Sequence, residues 1–390
     1  MERGSVTPID TSRNSRELPG ANLGVLRGHN DALVLGLLRA AGPAGLGRAD
    51  LAARTGLTPQ AVSKITARLR AEGFVAEAGR GASTGGKPRT LLRLAADARH
   101  AVGVHADRDE LQAVRVDLAG TVVDRLRTPL DFAAGPDAVA AAVARAVHRL
   151  AGSAGAQALA GVGVAAPGPL DWRTGVMGRV TGHPEWDGHP LRQAVADRLR
   201  PEGGNGNGNG DGEGEGDGGR VWGPPVVLDK DTNAGAAASG PDSGTSLYLH
   251  LGTGLGAGIR LGGEVHRGPR SAAGEFGHQV LLLDGPPCRC GGRGCAEVLC
   301  LAAVARGDLP EAARILGEGA ANAVALLDAD RVWLGGRVVQ QAPEVFTEGV
   351  RHALAARAFG GRAPEVATAR AGVAEGAAEL ALAPLFGRTA

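Results

Sequence analysis

Residues 247–261 read LYLHLGTGLGAGIRL, and this stretch decides the fold class of the chain. Leucines alternate with other residues before the glycines and apolar residues alternate after them, which predicts two strands joined by a hairpin. A dinucleotide-binding loop needs a helix directly after its glycines, and a P-loop needs Gly-Lys-Ser/Thr, which is absent. A glycine hairpin can present backbone N–H groups to a phosphate, although a tight turn without a ligand is the alternative. The candidate phosphate-loop residues are Gly252, Thr253, Gly254 and Gly256.

Strands and helices alternate through the rest of the chain beyond residue 100. Residues 101–130 read as three strands with two turns, residues 137–152 as a helix, and residues 159–170 as a strand that ends in a Gly-Pro turn. The chain has 390 residues, enough for two or three domains. The sequence therefore predicts an α/β protein with more than one domain.

Two segments do not have the composition of a folded core. Residues 1–20 lack the apolar run of a secretory signal, so we expect a disordered tail and a cytoplasmic protein with no membrane partner. No apolar run is long enough to span a bilayer. Residues 201–220, PEGGNGNGNGDGEGEGDGGR, cannot bury enough surface to order, and we expect a flexible loop inserted within one domain.

The amino-terminal residues 21–95 have the pattern of a DNA-binding module. Residues 1–95 contain 14 Lys and Arg against 7 Asp and Glu, whereas the remainder of the chain is net acidic. A short helix is predicted to end at Gly56, and Thr58 and Pro59 suit the N-cap and first position of the next helix. Helix, glycine turn and helix with a polar outer face indicate a helix-turn-helix, whose second helix enters the major groove.

A glycine-rich basic stretch, residues 80–94, follows this helix pair and lies between two strand-like runs. It predicts a β-wing that contacts phosphates or the minor groove, although a small helical domain with an ordinary loop is the alternative. The candidate DNA-binding residues are Thr58, Gln60, Ser63, Lys64, Arg68, Arg80, Lys87 and Arg89.

All four cysteines fall within residues 288–300, CRCGGRGCAEVLC. Such a cluster could be a disulfide staple, a redox centre or a metal site. A chain without a secretory signal favours the metal site, because disulfides are rare in reducing compartments.

The segment from 249 to 298, with its Glu-x-Gly-His and Cys-x-Cys-Gly-x-x-Gly-Cys motifs, resembles the core of the ROK family of repressors, open reading frames and sugar kinases. The resemblance extends over residues 21–390. It implies a winged helix-turn-helix followed by a two-lobed actin/hexokinase-like (ASKHA, ribonuclease H-like) ROK domain over residues 96–390. We expect a first lobe at about 96–230, a second at about 231–375 and a C-terminal helix at 376–390.

The resemblance also implies the residues of two sites. His278, Cys288, Cys290 and Cys295 match a structural zinc site, and their spacing gives one nitrogen and three sulfur ligands, a set suited to closed tetrahedral zinc. Cys300 falls outside the motif, and we expect it to be a small buried apolar residue. Asp231 matches the catalytic base of the family's kinases. The sugar contacts implied are Asp231, Glu275, His278 and Glu297, and Lys230 replaces the usual asparagine.

The first phosphate loop departs from the pattern of the family's kinases. His105 occupies the position of an aspartate, and Asp107, Arg108 and Asp109 replace Gly-Gly-Thr. Side chains then fill a turn that a phosphate must approach closely. The added carboxylates would repel a polyphosphate by several kcal/mol at ~4 Å. We therefore expect no catalytic residue, no bound ATP or Mg²⁺ and no kinase activity.

The sequence accordingly predicts a sugar-responsive, DNA-binding transcriptional regulator, most simply a repressor of carbohydrate genes. Its expected partners are a palindromic operator, a sugar or sugar derivative and a second copy of the chain, as a homodimer or a dimer of dimers. One alternative is an ATP-dependent sugar kinase with a DNA-binding head. The other is a repressor with a vestigial pocket that is regulated by a protein partner.

Overall fold

A computed structural model describes residues 23–80, 89–200, 223–239, 244–358 and 361–388. The predicted tail at 1–20, the loop at 201–220 and the wing tip with Lys87 lie outside these ranges. Within them, every helix is too short or too polar to cross a lipid bilayer.

The amino-terminal module consists of three helices and a small antiparallel sheet of order β1-β3-β2. Gly56 ends α2 with a φ of 70°, and the Thr58 side chain accepts the Ala61 N–H at the start of α3, as predicted. Val62, Ile65 and Leu69 form the buried stripe of α3. Its elements are α1 (Leu23–Ala41), β1 (Leu46–Gly47), α2 (Arg48–Thr55), α3 (Pro59–Ala71), β2 (Val75–Arg80) and β3 (Thr90–Leu94).

The first lobe is built on a five-stranded sheet of order β10-β7-β4-β5-β6. The first three strands in sequence form the predicted meander, and the next two run parallel to its first strand. Phe132 and Trp186 stack in its core with ring centroids 4.0 Å apart. Its elements are β4 (His100–Ala106), β5 (Glu110–Asp117), β6 (Val122–Pro129), α4 (Pro136–Ala151), β7 (Gly161–Ala166), β8 (Leu170–Asp171), β9 (Val176–Met177), α5 (Leu191–Arg198) and β10 (Val226–Lys230).

The second lobe repeats the plan with a five-stranded sheet of order β13-β12-β11-β14-β15. The β11–β12 hairpin is the stretch 247–261, and β14 runs parallel to β11. Its elements, with the helix that precedes them, are α6 (Asp231–Ala237), β11 (Ser246–Leu251), β12 (Leu255–Leu261), β13 (Glu264–Val265), α7 (Ala296–Ala305), α8 (Leu309–Leu327), β14 (Arg331–Gly335), α9 (Arg337–Gln341), α10 (Pro343–Ala356) and β15 (Glu365–Thr368).

The last helix, α11 (Val373–Leu382), begins three residues before the predicted 376. It lies between the two sheets together with α6, so that the layers run first sheet, α11, α6, second sheet. Glycines make this close stacking possible. A Cβ on Gly163 of the first sheet would lie 1.8 Å from the Ala377 carbonyl oxygen, and a Cβ on Gly376 would lie 1.7 Å from that of Ala234.

The amino-terminal module packs against the end of this central helix. Leu35 and Leu38 of α1 share a buried core with Leu382 and Phe386. Arg39 of α1 also forms two hydrogen bonds with the Glu379 carboxylate, at 3.0 and 2.5 Å. The first and last α-helices of the described residues are therefore joined directly.

Candidate ligand cleft and metal centre

A cavity of about 530 Å³ lies between the two lobes. This volume suits a small organic ligand. The cavity brings together all five predicted sugar-contact residues, three of the four phosphate-loop residues, and the Asp107–Arg108 turn of the first lobe. The predicted residues that line it are Lys230, Asp231, Thr253, Gly254, Gly256, Glu275, His278 and Glu297.

Asp231 lies at the floor of this cavity, where β10 ends and α6 begins. Its Oδ1 accepts the Thr232 N–H at 2.6 Å. Burial raises the pKa of Asp231 above its ordinary value, while nearby His250 acts in the opposite direction. A carboxylate at this position can accept a hydrogen bond from a ligand hydroxyl, which would return part of the solvation lost on burial.

Lys230 spans the cleft beside Asp231. Its Nζ donates to the Ala273 carbonyl oxygen at 2.6 Å and to Glu275 Oε1 at 3.0 Å, and only 4% of its side chain is exposed. Its stem passes over Gly168, where a Cβ would lie 2.8 Å from Lys230 Cδ. The ammonium group thus positions the Glu275 carboxylate and joins the first lobe to the second.

The glycine turn after β11 is held by a residue of the metal-binding segment. Glu297 Oε2 accepts the Leu255 N–H at 2.9 Å, and the Gly252 N–H donates to the Gly254 carbonyl oxygen at 2.9 Å. The turn presents little side-chain bulk to the cavity. Gly256 has no room for a side chain, because a Cβ there would lie 2.8 Å from Thr232 Cγ2. Its geometry agrees with the predicted hairpin.

The degenerate turn of the first lobe carries an ion pair that the sequence did not reveal. Arg337 donates to Asp107 Oδ2 at 2.9 Å and to both oxygens of Asp109 at 2.7 and 2.5 Å. The two carboxylates expected to repel a polyphosphate are therefore not unpaired: they share one guanidinium, and side chains occupy the turn. Arg337 directly follows Gly335 and Gly336 at the end of β14, and only its proximity to that glycine pair marks it in the sequence.

His105 is buried beneath this turn. Its Nε2 has no hydrogen-bond partner among the described residues, and its ring centroid lies 6.0 Å from that of His250. Burial lowers the pKa of His105 to about 4, assisted by His250 and Arg337 and opposed by Asp107. The imidazole is therefore neutral at physiological pH and lacks the negative charge and oxygen donors with which an aspartate binds Mg²⁺.

The four predicted metal ligands converge on one point. Their donor atoms all lie within 4.8 Å of one another. Cys288 Sγ lies 3.8 Å from His278 Nδ1, and Cys290 Sγ lies 3.7 Å from Cys295 Sγ. No disulfide joins the cysteines, and the group is a donor set that can hold a metal ion.

Cys300 points away from this centre. It is fully buried, and its Sγ lies 3.4 Å from the Ala312 carbonyl oxygen. Burial raises the pKa of its thiol to about 12, so it packs as a small apolar residue, as predicted.

The outer face of α3 presents Gln60, Ser63 and Lys64 to solvent. Arg68 differs from them because its guanidinium pairs with Asp31 of α1. Arg89 pairs with Asp50 of α2 at 3.3 Å, Arg80 ends β2, and Lys87 is outside the described residues. The free polar face of α3 is thus smaller than the sequence indicated.

Two similar five-stranded sheets that flank two central helices, with a cleft between the lobes, define a protein of the actin/hexokinase-like class. A family model described as the ROK family matches residues 221–306. The crystal structure of the ROK hexokinase from Thermus thermophilus is 30% identical, with a TM-score of 0.55 over 72% of this chain and 97% of that chain. The chain belongs to the ROK family.

Two further comparisons show how far the likeness extends. A crystal structure described as a ROK family transcriptional regulator, a homologue of the E. coli MLC protein, covers 93% of this chain and 97% of its own with a TM-score of 0.71. At 20% identity, that likeness supports the fold alone. The xylose repressor of Bacillus subtilis (strain 168) is 26% identical over 262 residues, which are 65% of this chain and 61% of the repressor. The chain therefore spans about three fifths of that relative's length.

Proposed function

We propose that this protein is a DNA-binding transcriptional regulator, a repressor, that senses a sugar in the cleft between its lobes. One observation carries the proposal. The same chain joins an exposed polar face on α3 to a cleft that gathers the predicted sugar contacts, and the Asp107–Asp109 end of that cleft is occupied by an ion pair with Arg337. A kinase needs that end free for its nucleotide. The relative named xylose repressor supports the same reading.

The sugar would bind among Asp231, Glu275, His278 and Glu297. Carboxylates accept hydrogen bonds from hydroxyl groups, and charge-assisted bonds of this kind are stronger than neutral ones. Lys230 fixes the Glu275 carboxylate at 3.0 Å and so sets the direction from which a hydroxyl approaches it. A neutral polyol of the pentose or hexose class fits such a cluster of acceptors.

Zinc fits the Cys/His centre. The Cys290–Cys295 Sγ separation of 3.7 Å agrees with the edge of a tetrahedron with Zn–S bonds of ~2.3 Å, which is ~3.8 Å. His278, Cys288, Cys290 and Cys295 would hold it as a structural ion, which supplies a fixed crosslink. His278 also lines the cleft, and Glu297 follows Cys295 by two residues. Chelation should therefore weaken sugar binding before it weakens DNA binding, which paired titrations with a sugar and a DNA probe can test.

DNA binding is tested with the region upstream of the protein's own gene. We expect a homodimer to bind a palindrome with half-site centres about 10–10.5 bp apart. Lys64→Ala should weaken binding by roughly 10-fold or more, as the loss of one direct contact does. Arg149→Ala removes the same charge from the exposed face of α4 and is the control. If both substitutions weakened DNA binding equally, α3 would not be the helix that contacts DNA.

The absence of kinase activity is tested with purified protein, Mg·ATP and a panel of pentoses and hexoses. No ADP should form above background, because His105 replaces the aspartate of the family's kinases and Arg337 pairs with the Asp107 and Asp109 carboxylates. Turnover at enzyme-like rates would contradict the proposal. It would support the kinase alternative, because one similar solved structure is described as a hexokinase.

Sugar binding is tested by calorimetry with the same panel. At least one sugar should bind, and Asp231→Asn should weaken it roughly 10-fold, because the variant replaces a charged acceptor with an amide. Asp284→Asn, which removes a charge outside the cleft-lining residues, is the matched control. If no sugar binds, the pocket is vestigial and regulation passes to a protein partner.

A further inference from the structure

Three charged side chains from different lobes meet at the phosphate end of the cleft, the end formed by the Asp107–Asp109 turn and the Gly252–Gly256 turn. Arg337 lies at the start of α9 in the second lobe, whereas Asp107 and Asp109 lie in the turn between β4 and β5 of the first. The Arg337 guanidinium is 2.9 Å from Asp107 and 2.5 Å from Asp109. A planar guanidinium that contacts both oxygens of one carboxylate is a geometrically specific contact.

Asp107 is also held from its other side. Thr253 Oγ1 in the glycine turn donates to Asp107 Oδ1 at 3.2 Å, so both oxygens of this carboxylate are bonded to the second lobe. Asp107 lines the ligand cleft, and Arg337 lies behind it against a smaller cavity of about 70 Å³. The contact therefore closes one wall of the cleft with groups of this chain.

The other ion pairs between the lobes are deeper. Arg267 and Asp229 pair at 2.7 Å with side chains that are 6% and 4% exposed. Lys230 is 4% exposed in its pair with Glu275. Arg337 is 39% exposed, with Asp109 at 58% and Asp107 at 14%. Lys230 and Arg267 are at most 6% exposed, although Glu275 is 51% exposed, so water and salt reach the Arg337 guanidinium most easily. Of these three contacts between the lobes, the Arg337 contact therefore requires the least free energy to break.

We propose that Arg337, Asp107 and Asp109 form a latch that holds the lobes together at the phosphate end, both in the ligand-free protein and with a sugar bound. The latch joins the Asp107–Asp109 turn of the first lobe to the start of α9 in the second lobe without a nucleotide. Release of the latch opens the cleft and shortens the residence of the sugar. The effect on sugar residence rests on the proposed function, whereas the latch itself does not.

Hydrogen exchange of the ligand-free, full-length chain tests the latch directly. In Arg337→Gln, peptides that span residues 103–112 and 252–257 should exchange roughly two- to fivefold faster at low salt, the range expected for exposed ion pairs. Raising the salt to about 1 M should bring the wild type to the rate of the variant, because the pair is then screened. Arg331→Gln is the control, since Arg331 is also 39% exposed and pairs with Glu365 inside the second lobe.

Asp109→Asn provides a second variant at an exposed position. It should raise exchange in the same peptides, and the double variant with Arg337→Gln should add little, because the two groups share one interaction. Unchanged exchange in both single variants, or an equal increase in Arg331→Gln, would overturn the latch.

The proposed effect of the latch on the residence time of bound sugar is measured separately. Stopped-flow dissociation of whichever sugar binds should be roughly two- to fivefold faster in Arg337→Gln, and unaltered in Arg331→Gln. Equal dissociation rates in wild type and Arg337→Gln would overturn the proposed effect on residence. If no sugar binds the wild type, the proposed function fails, and the exchange experiment still decides the latch.

Discussion

Asp229 and Asp231 are two carboxylates on either side of Lys230 with opposite surroundings. Asp229 is 3% exposed and accepts bonds from Arg267, Asn233 and the Lys230 N–H. Asp231 accepts the Thr232 N–H and faces the cleft. Hydrogen bonds offset the loss of water around the Asp229 carboxylate, whereas the Asp231 carboxylate can still accept hydrogen bonds from a ligand in the cleft.

We predict that the two aspartates respond oppositely to the same substitution. Asp229→Asn leaves Arg267 buried without its counter-ion and should lower the free energy of unfolding by about 3–5 kcal/mol. Asp231→Asn removes a charge whose burial raises its pKa, so the variant should be as stable as the wild type or more stable at neutral pH. Urea unfolding at pH 7 measures both. A loss of stability in Asp231→Asn that matched that of Asp229→Asn would show that Asp231 also has a structural partner.

His105 makes the fold sensitive to acid. Its pKa falls from 6.5 to about 4 on folding, so the unfolded chain binds a proton that the folded chain does not. Stability from this group is complete above the unfolded pKa and is lost as the pH falls towards 4, by roughly 3 kcal/mol in total. Burial is the main cause, with His250 and Arg337 adding to it and Asp107 opposing it.

We predict that His105→Leu flattens this dependence. The difference in urea midpoint between pH 7.5 and pH 4.5 should shrink in the variant, and His352→Ala, a change at an exposed position in α10, should leave it as in the wild type. An undiminished pH dependence in His105→Leu would place the acid sensitivity elsewhere.

At the scale of the elements, the packing of α11 on the first sheet depends on the absence of side chains. A Cβ on Gly103 would lie 2.0 Å from the Ala374 carbonyl oxygen, and one on Gly163 would lie 1.8 Å from that of Ala377. Neither contact can be relieved by rotating a side chain, because the atoms belong to the helix backbone. The helix therefore has no room to accept a methyl group at either position.

We predict that Gly163→Ala destabilises the protein by about 3 kcal/mol or more, at the upper end of overpacking effects. Gly28→Ala is the control, because Gly28 lies in α1 with nothing within 4 Å of its Cβ position. That variant should gain about 0.5–1 kcal/mol from helix propensity. Thermal unfolding distinguishes the two, and a tolerated Gly163→Ala would mean that α11 can move away from the sheet.

Local features of these elements could be predicted from the sequence, because each depends on neighbouring residues. Gly56 and Thr58 mark the ends of α2 and α3, alternation of apolar residues gives the β11–β12 hairpin, and cysteine spacing gives the metal centre. Arg337 could not be predicted as the partner of Asp107, since 230 residues separate them. The Arg68–Asp31 pair, which removes Arg68 from the free face of α3, was missed for the same reason: propensity says nothing about distant partners.

At the scale of the whole molecule, α1 and α11 connect the amino-terminal module to the lobes. Arg39 and Glu379 pair with side chains only 12% and 24% exposed, and the Arg39 guanidinium lies 4.6 Å from the centroid of the Phe386 ring. Because α11 lies between the two sheets, we expect a change in lobe closure to reach α1 through this contact.

We predict that Arg39→Ala weakens the effect of sugar on DNA affinity and leaves the affinity for each ligand alone within about twofold. The ratio of DNA affinities without and with sugar should move towards one, since it measures the coupling between the two sites. Fluorescence anisotropy with a labelled operator measures this ratio. Arg125→Ala is the control, because Arg125 pairs with Glu375 of the same helix from the first sheet. An equal loss of coupling in both variants would argue against a route through α1.

The burial of Lys230 has a chemical consequence. The chain has three lysines: Lys64 is exposed on α3, Lys87 belongs to the predicted wing, and Lys230 is 4% exposed beneath the cleft. Acylating enzymes and amine-reactive reagents need an accessible lysine. Among the lysines of the described residues, only Lys64 offers one, so acetylation would neutralise the proposed DNA-reading face and spare the sugar site.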